Sequence, residues 1–226
     1  MSGTFKMTKL DCYTAKSTFI SSIAALSVIT VVLAVVSSLS LDTLLFTAMW
    51  YAVCSANNIF MISDKNNLNR LYASLSLTEK DFIRGRYLFF YVNYLTALAT
   101  VVVIGVILAW ATGTSLFIPG ADSSFFLSFL LFTAAISVQI PICMRLPYSK
   151  AQFFVITIYV LLLAVLLIVA RRWIIVPLPQ IPVGEWGLNT FYMEKWMLNI
   201  LYLIASAAVL AVSYPIALSC YRKRLA

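Results

Sequence analysis

Six apolar stretches, joined by connections whose basic residues fall almost wholly on one side, constrain this chain more than any other feature. They lie at 17–39, 44–62, 87–110, 125–144, 151–170 and 197–218, and none carries an acidic or basic residue well inside it. Crossing roughly 30 Å of hydrocarbon takes about 20 mainly apolar residues, so each stretch is long enough to span. Backbone amides and carbonyls within lipid must be satisfied internally, which selects helices. A transmembrane β-barrel would show shorter, alternating segments. With 62% hydrophobic and only 11% charged residues, the chain could not cover a soluble surface of its size. Its mean hydropathy of +0.96 agrees. The expectation is an all-α, polytopic membrane protein with six transmembrane helices.

Charge sets the orientation. With the N-terminus inside and the spans alternating, Lys6, Lys9, Lys16, Lys65, Arg70, Lys80, Arg84, Arg86, Arg145, Lys150, Arg222, Lys223 and Arg224 share the inner face. Only Arg171, Arg172 and Lys195 fall outside. Thirteen against three is a strong positive-inside bias. The net charge of +8 then belongs to loops facing anionic lipid. No basic stripe lies on a soluble domain, so nucleic acid is not an expected partner. Both termini are expected to be cytoplasmic, and residues 1–226 to form a single transmembrane domain. The first span exceeds the length of a signal-peptide core and runs directly into the second, so it reads as retained.

The absences narrow the chemistry. The chain has no histidine, which removes the usual haem ligand, most zinc sites and Ser-His or Cys-His catalysis. Cys12, Cys54, Cys143 and Cys220 show no paired spacing and fall near cytoplasmic helix ends, where thiols stay reduced. They read as small apolar fillers, with palmitoylation of Cys220 as the alternative. The seven glycines never form a G-x-x-x-x-G-K-[ST] phosphate loop. A chain with neither a nucleotide-binding motif nor a catalytic cluster is not expected to be an enzyme. Asp42 and Asp122 stand at the outer ends of helices, so the spans also lack the intramembrane acid common in ion-driven carriers.

The cytoplasmic connection at 63–86 carries the most local information. Leu68, Leu71, Tyr72 and Leu75 recur at i, i+3, i+4 and i+7, giving one apolar helix face. Lys65, Asn66, Asn69, Arg70 and Ser74 lie mostly on other faces, and Asp64 or Ser63 would cap the helix. A second start follows, with Thr78 as N-cap, Glu79 in the first turn and Asp81 at N3. Leu77 and Phe82 hold the staple positions around it. Two helices thus meet at a tight corner. The corner could lie on lipid as an interfacial helix, or present its aromatic and arginine residues to a cytoplasmic protein.

The segment MISDKNNLNRLYASLSLTEKDFIRGRYLFFY resembles the loop between the second and third helices of permease subunits in the type-2 class of ATP-binding-cassette (ABC) transporters. Phe60, Asp64, Tyr72, Ser74, Leu75, Thr78, Lys80, Ile83, Arg86 and Tyr87 match the family's pattern. Ser76 stands where the family often has Pro, and Glu79 separates Thr78 from Lys80. The N-terminal KMTKLDCYTAKSTF is similar to the short amphipathic helix with which such permeases lie along the inner surface. The resemblance suggests short permeases of Gram-positive bacteria, including exporters of amphipathic or antimicrobial peptides. The resemblance implies a subunit of the bacterial cytoplasmic membrane that pairs with a second permease, identical or paralogous. It also implies a dimer of ABC ATPase subunits docked on the loop, so that ATP and Mg bind the partner and this chain needs no cofactor. Leu68, Arg70, Leu71, Tyr72, Leu75, Thr78, Glu79 and Asp81 would form the docking element. A non-transporting membrane adaptor whose loop binds another cytoplasmic protein is the alternative.

Within the spans, Pro141 and Pro215 each remove a helix hydrogen bond, giving either a hinge or a static bend. Polar residues are few. Asn57, Asn93 and Gln139 (with Asn58) would line a translocation path or join helices by hydrogen bonds. An almost uncharged interior suits a hydrophobic or amphipathic substrate. The outer connection at 171–196 holds Pro177, Pro179 and Pro182, which disfavour a continuous helix, and Trp173, Trp186, Tyr192 and Trp196, which suit the membrane interface. Arg171 and Arg172 there would anchor lipid headgroups or attract an anionic group of substrate.

Overall fold

The computed structural model describes residues 3–36, 41–66, 78–113, 121–171 and 195–225. Within them every regular element is an α-helix: α1 (Gly3–Val36), α2 (Leu41–Ala56), α3 (Asn58–Lys65), α4 (Glu79–Thr112), α5 (Ala121–Arg145), α6 (Tyr148–Arg171) and α7 (Lys195–Leu225). Among the described residues five stretches are long and apolar enough to cross a membrane, and the count rises to six if the bent α1 crosses as one broken span. The all-α polytopic architecture expected from hydropathy is the one observed.

Helix α1 bends by 73° between Gly3–Lys16 and Ile20–Ala34. Hydroxyls enter the helix ladder at the bend: Thr18 donates to the Ala15 carbonyl at 2.8 Å, and Ser21 to the Thr18 carbonyl at 2.9 Å. Such back-bonding competes with the main-chain ladder and tilts a helix. The polar N-terminal arm thereby leaves the direction of the span that follows, as an interfacial helix must.

Helix α2 is the hub, packed on α1, α4, α5 and α6. It is buried on nearly every side, from Thr43 and Leu44 through Phe46 and Met49 to Val53 and Ala56. Ala48, Ala52 and Ala56 recur every fourth residue and let neighbouring backbones approach. Side chains bond to main chain around this hub. Trp50 Nε1 donates to the Tyr159 carbonyl at 3.3 Å, and the Tyr51 hydroxyl to the Ser22 carbonyl. Asn57 interrupts the regular helix, and α3 continues in nearly the same sense, so that α2 and α3 make one 25-residue span.

Helix α4 has 34 residues, about 51 Å at 1.5 Å per residue, so it extends well beyond the hydrocarbon it crosses. It starts at Thr78 and ends at Gly113, whose φ of 68° is the left-handed cap conformation. Tyr94 stacks on Phe132 of α5 with ring centroids 4.4 Å apart. The most extensive helix pairing joins α5 to α7, the two helices that carry Pro141 and Pro215. Large apolar side chains elsewhere, such as Trp110, Phe153, Ile204 and Val212, face outward, as a lipid environment requires.

Candidate functional site

One end of the bundle gathers the start of α1, the end of α3, the start of α4, the end of α5, the start of α6 and the end of α7. These segments carry most of the basic residues, and they frame the connection at 63–86. The centre of that connection, with Leu68, Arg70, Leu71, Tyr72 and Leu75, lies outside the described residues, as does Leu77. Its two bases are described.

On the exit side, Thr78 caps α4 as its sequence position predicts. Its backbone is extended (φ −72°, ψ 152°), and its hydroxyl oxygen accepts the Asp81 amide at 3.2 Å. The same hydroxyl donates to Asp81 Oδ2 at 2.7 Å, and Thr4 of α1 donates to Asp81 Oδ1 at 2.9 Å. Thr8 donates to the Thr4 carbonyl at 3.0 Å and lies 3.2 Å from the Gly85 carbonyl. Helix α1 therefore lies directly on α4. A Cβ added at Gly85 would stand 2.6 Å from Met7 Cβ and 3.2 Å from the Thr4 carbonyl, so this crossing needs glycine.

Immediately after Gly85, Arg86 forms an ion pair with Asp11 at 3.4 Å, with side chains 1% and 0% exposed. The guanidinium carbon lies 5.2 Å from the ring centres of both Phe60 and Phe82. Aromatic faces attract a cation and suit the weakly hydrated guanidinium. A single buried charge pair thus ties α1, α3 and α4. Asp11 was not singled out in the sequence. The available signal was a lone acid among Lys6, Lys9 and Lys16, facing an arginine that opens an apolar run and needs a partner there.

On the entry side the structure departs from the sequence reading. Ser63 and Asp64 do not start a new helix; they lie within α3, which continues to Lys65. Asp64 instead caps α6 from a distance, accepting the main-chain N–H of Tyr148, the helix's first residue. The first amides of a helix have no partner within it, and Pro147 just ahead of Tyr148 has no capping side chain. Arg224 of α7 completes the joint, bonding Asp64 Oδ1 at 3.1 Å and the Cys143 carbonyl, in the last turn of α5, at 3.3 Å. Arg222 pairs with Glu79 at 2.7 Å on the exit side. Tyr221 stacks on Phe82 at 4.8 Å, the partner observed for the ring placed opposite Leu77 by the staple pattern. The last turns of α7 therefore clasp both bases of the loop. The space enclosed by Phe60, Phe82, Arg86, Tyr148, Tyr221 and Arg224 is about 10 Å³. That is room for about one water, so the arrangement is a mechanical joint rather than a ligand pocket.

Asn57, Asn93 and Gln139 are buried between helices, and Asn58 is half-buried. Asn57 Nδ2 donates to the Tyr148 hydroxyl at 3.0 Å, and Cys143 Sγ lies 3.9 Å from Asn57 Oδ1. Asn93 Nδ2 bonds the Ala52 carbonyl at 2.9 Å and Ser55 Oγ at 2.8 Å. Gln139 is fully buried; the Tyr159 hydroxyl lies alongside, but neither amide atom makes a well-directed hydrogen bond. These three are not brought together into one cluster. Asn57 and Asn93 each join separate helices to the α2–α3 hub.

A comparison with protein families matches residues 6–222 to the family described as ABC-2 family transporter protein. The chain belongs to that family and is a membrane permease subunit of an ABC transporter. Membership implies an ABC ATPase as partner and pairing of permease subunits, with nucleotide hydrolysis in the partner. No curated protein and no solved structure matches the chain.

Proposed function

We propose that this permease is the transmembrane subunit of an ATP-driven exporter in the bacterial cytoplasmic membrane, and that it docks its ATPase through the connection at 63–86. The observation that carries the docking reading is the double clasp, with Arg224 on Asp64 and Arg222 on Glu79. A loop that receives force from a soluble motor needs bases fixed to the helices it moves. Here the bases are tied to α1, α5, α6 and α7 at once. Leu68, Leu71, Tyr72 and Leu75 supply the apolar contact face, while Arg70, Thr78, Glu79 and Asp81 shape the corner. The substrate class is hydrophobic or amphipathic, peptides included, because the spans offer almost no charge to pair with a strongly ionic solute. Asn57, Asn93 and Gln139 are the candidate polar points of the path that forms when two permeases, identical or paralogous, pair.

The test is affinity purification of the tagged chain from its native membrane, wild type beside Leu71→Asp/Leu75→Asp. Recovery of an ABC ATPase with wild type and its loss with the loop variant is the expected result. A folded permease whose ATPase recovery is unaffected by the variant would place docking elsewhere. One that never recovers an ATPase would favour the adaptor reading.

A further inference from the structure

On the lipid-facing side of the same end, α4 and α7 touch over only a short stretch and leave a crevice of about 210 Å³ between them, lined by Arg84, Tyr87, Tyr91, Leu210 and Tyr214. We propose that this crevice binds the headgroup of an anionic phospholipid from the leaflet on the basic side. Its volume falls below the roughly 300 Å³ at which pockets enclosing a whole drug-sized molecule begin. It therefore suits part of a longer molecule whose remainder lies along the lipid surface. The spacing supports such a molecule. Arg84, Tyr87, Tyr91 and then Leu95 follow one face of α4, while Tyr214, Leu210 and Leu203 follow one of α7, and Leu95 and Leu203 are both exposed.

The polar end has the chemistry for a phosphodiester. Arg84 is exposed, with its guanidinium 5.6 Å from the centre of the Tyr214 ring, which holds the fork in place. Arg84 makes no salt bridge among the described residues; Asp81 is near enough to act on it electrostatically but is bonded to Thr78 and Thr4. Lys80, one turn earlier, adds positive charge and is also exposed. The Tyr87 hydroxyl is committed to Ser213, and that of Tyr91 lies 3.4 Å from Thr133. The Tyr214 hydroxyl, by contrast, is buried with no hydrogen-bond partner among the described residues. A buried hydroxyl left unsatisfied is costly, and a small rotation of Tyr214 into the crevice it lines would let a phosphate or ester oxygen satisfy it.

Native mass spectrometry of the full chain in neutral detergent tests this, with phosphatidylglycerol, phosphatidylcholine or inorganic phosphate added. Wild type is expected to retain phosphatidylglycerol about fivefold more tightly than phosphatidylcholine. Arg84→Gln should bring the two to parity, Arg84→Lys should keep most of the preference, and Tyr214→Phe should weaken phosphatidylglycerol by about fivefold. Equal retention of both lipids by wild type, or a preference that survives Arg84→Gln, would overturn the proposal. So would inorganic phosphate displacing the lipid, since the site would then belong to a free anion.

Discussion

Ser213 of α7 donates its hydroxyl to the Ser137 carbonyl of α5 at 2.7 Å, and that carbonyl is the one Pro141 leaves without its helix partner. Because Ser213 spends its proton there, it accepts from the Tyr87 hydroxyl, 2.5 Å away. The chain Tyr87–Ser213–Ser137 ties α4, α7 and α5 at the level of the proline. The carbonyl freed by Pro141 is thus held by a neighbour's hydroxyl. Replacing Ser213 by Ala strands two buried groups and should lower stability by about 1–2 kcal/mol. Tyr87→Phe should cost less, and the double variant should fall short of the sum of the two. Thermal unfolding of the purified subunit reads all three, and strict additivity would dissolve the relay.

The ion pair between Asp11 and Arg86 gives a larger expected loss. Asp11→Asn leaves a guanidinium buried without its counter-charge, at a cost of about 3–5 kcal/mol. Asp11→Leu combined with Arg86→Met removes both charges and should recover much of that stability. Folded yield and melting temperature in detergent are the measurements. A mild effect of Asp11→Asn beside a large one of the double change would mean that Arg86 acts through Phe60 and Phe82 alone.

How much of this was legible follows from distance along the chain. The spans were, because hydrophobicity over about 20 residues is a local signal. So was the Thr78 cap, whose partner Asp81 is three residues away. Asp64 was read as a local cap because its real partner, Tyr148, is 84 residues on, and Arg224 is 160 away. Ser213 and Ser137 are 76 residues apart, and nothing in the periodicity of either helix announces the pairing. Local propensity fixes where helices begin; which charges meet at their ends is settled by packing.

The Gly85 crossing is steric and should respond to a single methyl. Gly85→Ala places a Cβ 2.6 Å from Met7 Cβ, so the N-terminal arm must shift outward, at about 1–3 kcal/mol. Cys12, exposed on that arm, offers a reporter. A distance between a spin label at Cys12 and one placed on α4, with the other cysteines replaced, should lengthen in Gly85→Ala and not in Gly113→Ala, which strains the left-handed cap at the far end of α4 but does not touch the arm. An unchanged distance would mean that the arm absorbs the methyl by a local rotation.

The two clasps of α7 should contribute unequally. Arg222 and Glu79 are 58% and 41% exposed, and a solvated pair of this kind is worth about 0–1 kcal/mol. Asp64 holds Arg224 and the first amide of α6 together, so its loss strands a helix start as well as a charge. Asp64→Ala should therefore destabilise the subunit by about 1–3 kcal/mol, against less than about 1 for Glu79→Ala. Asp64→Asn separates the two roles: it can still accept the Tyr148 amide but carries no charge for Arg224. If the cap dominates, Asp64→Asn should melt close to wild type, whereas a dominant ion pair would place it near Asp64→Ala. In membranes containing the partner ATPase, either Asp64 variant should lower substrate-stimulated ATP hydrolysis more than Glu79→Ala does. That one carboxylate ties the entry base of the loop to α6 and α7, and through Arg224 to α5, and an equal effect from Glu79→Ala would move the coupling to the exit side.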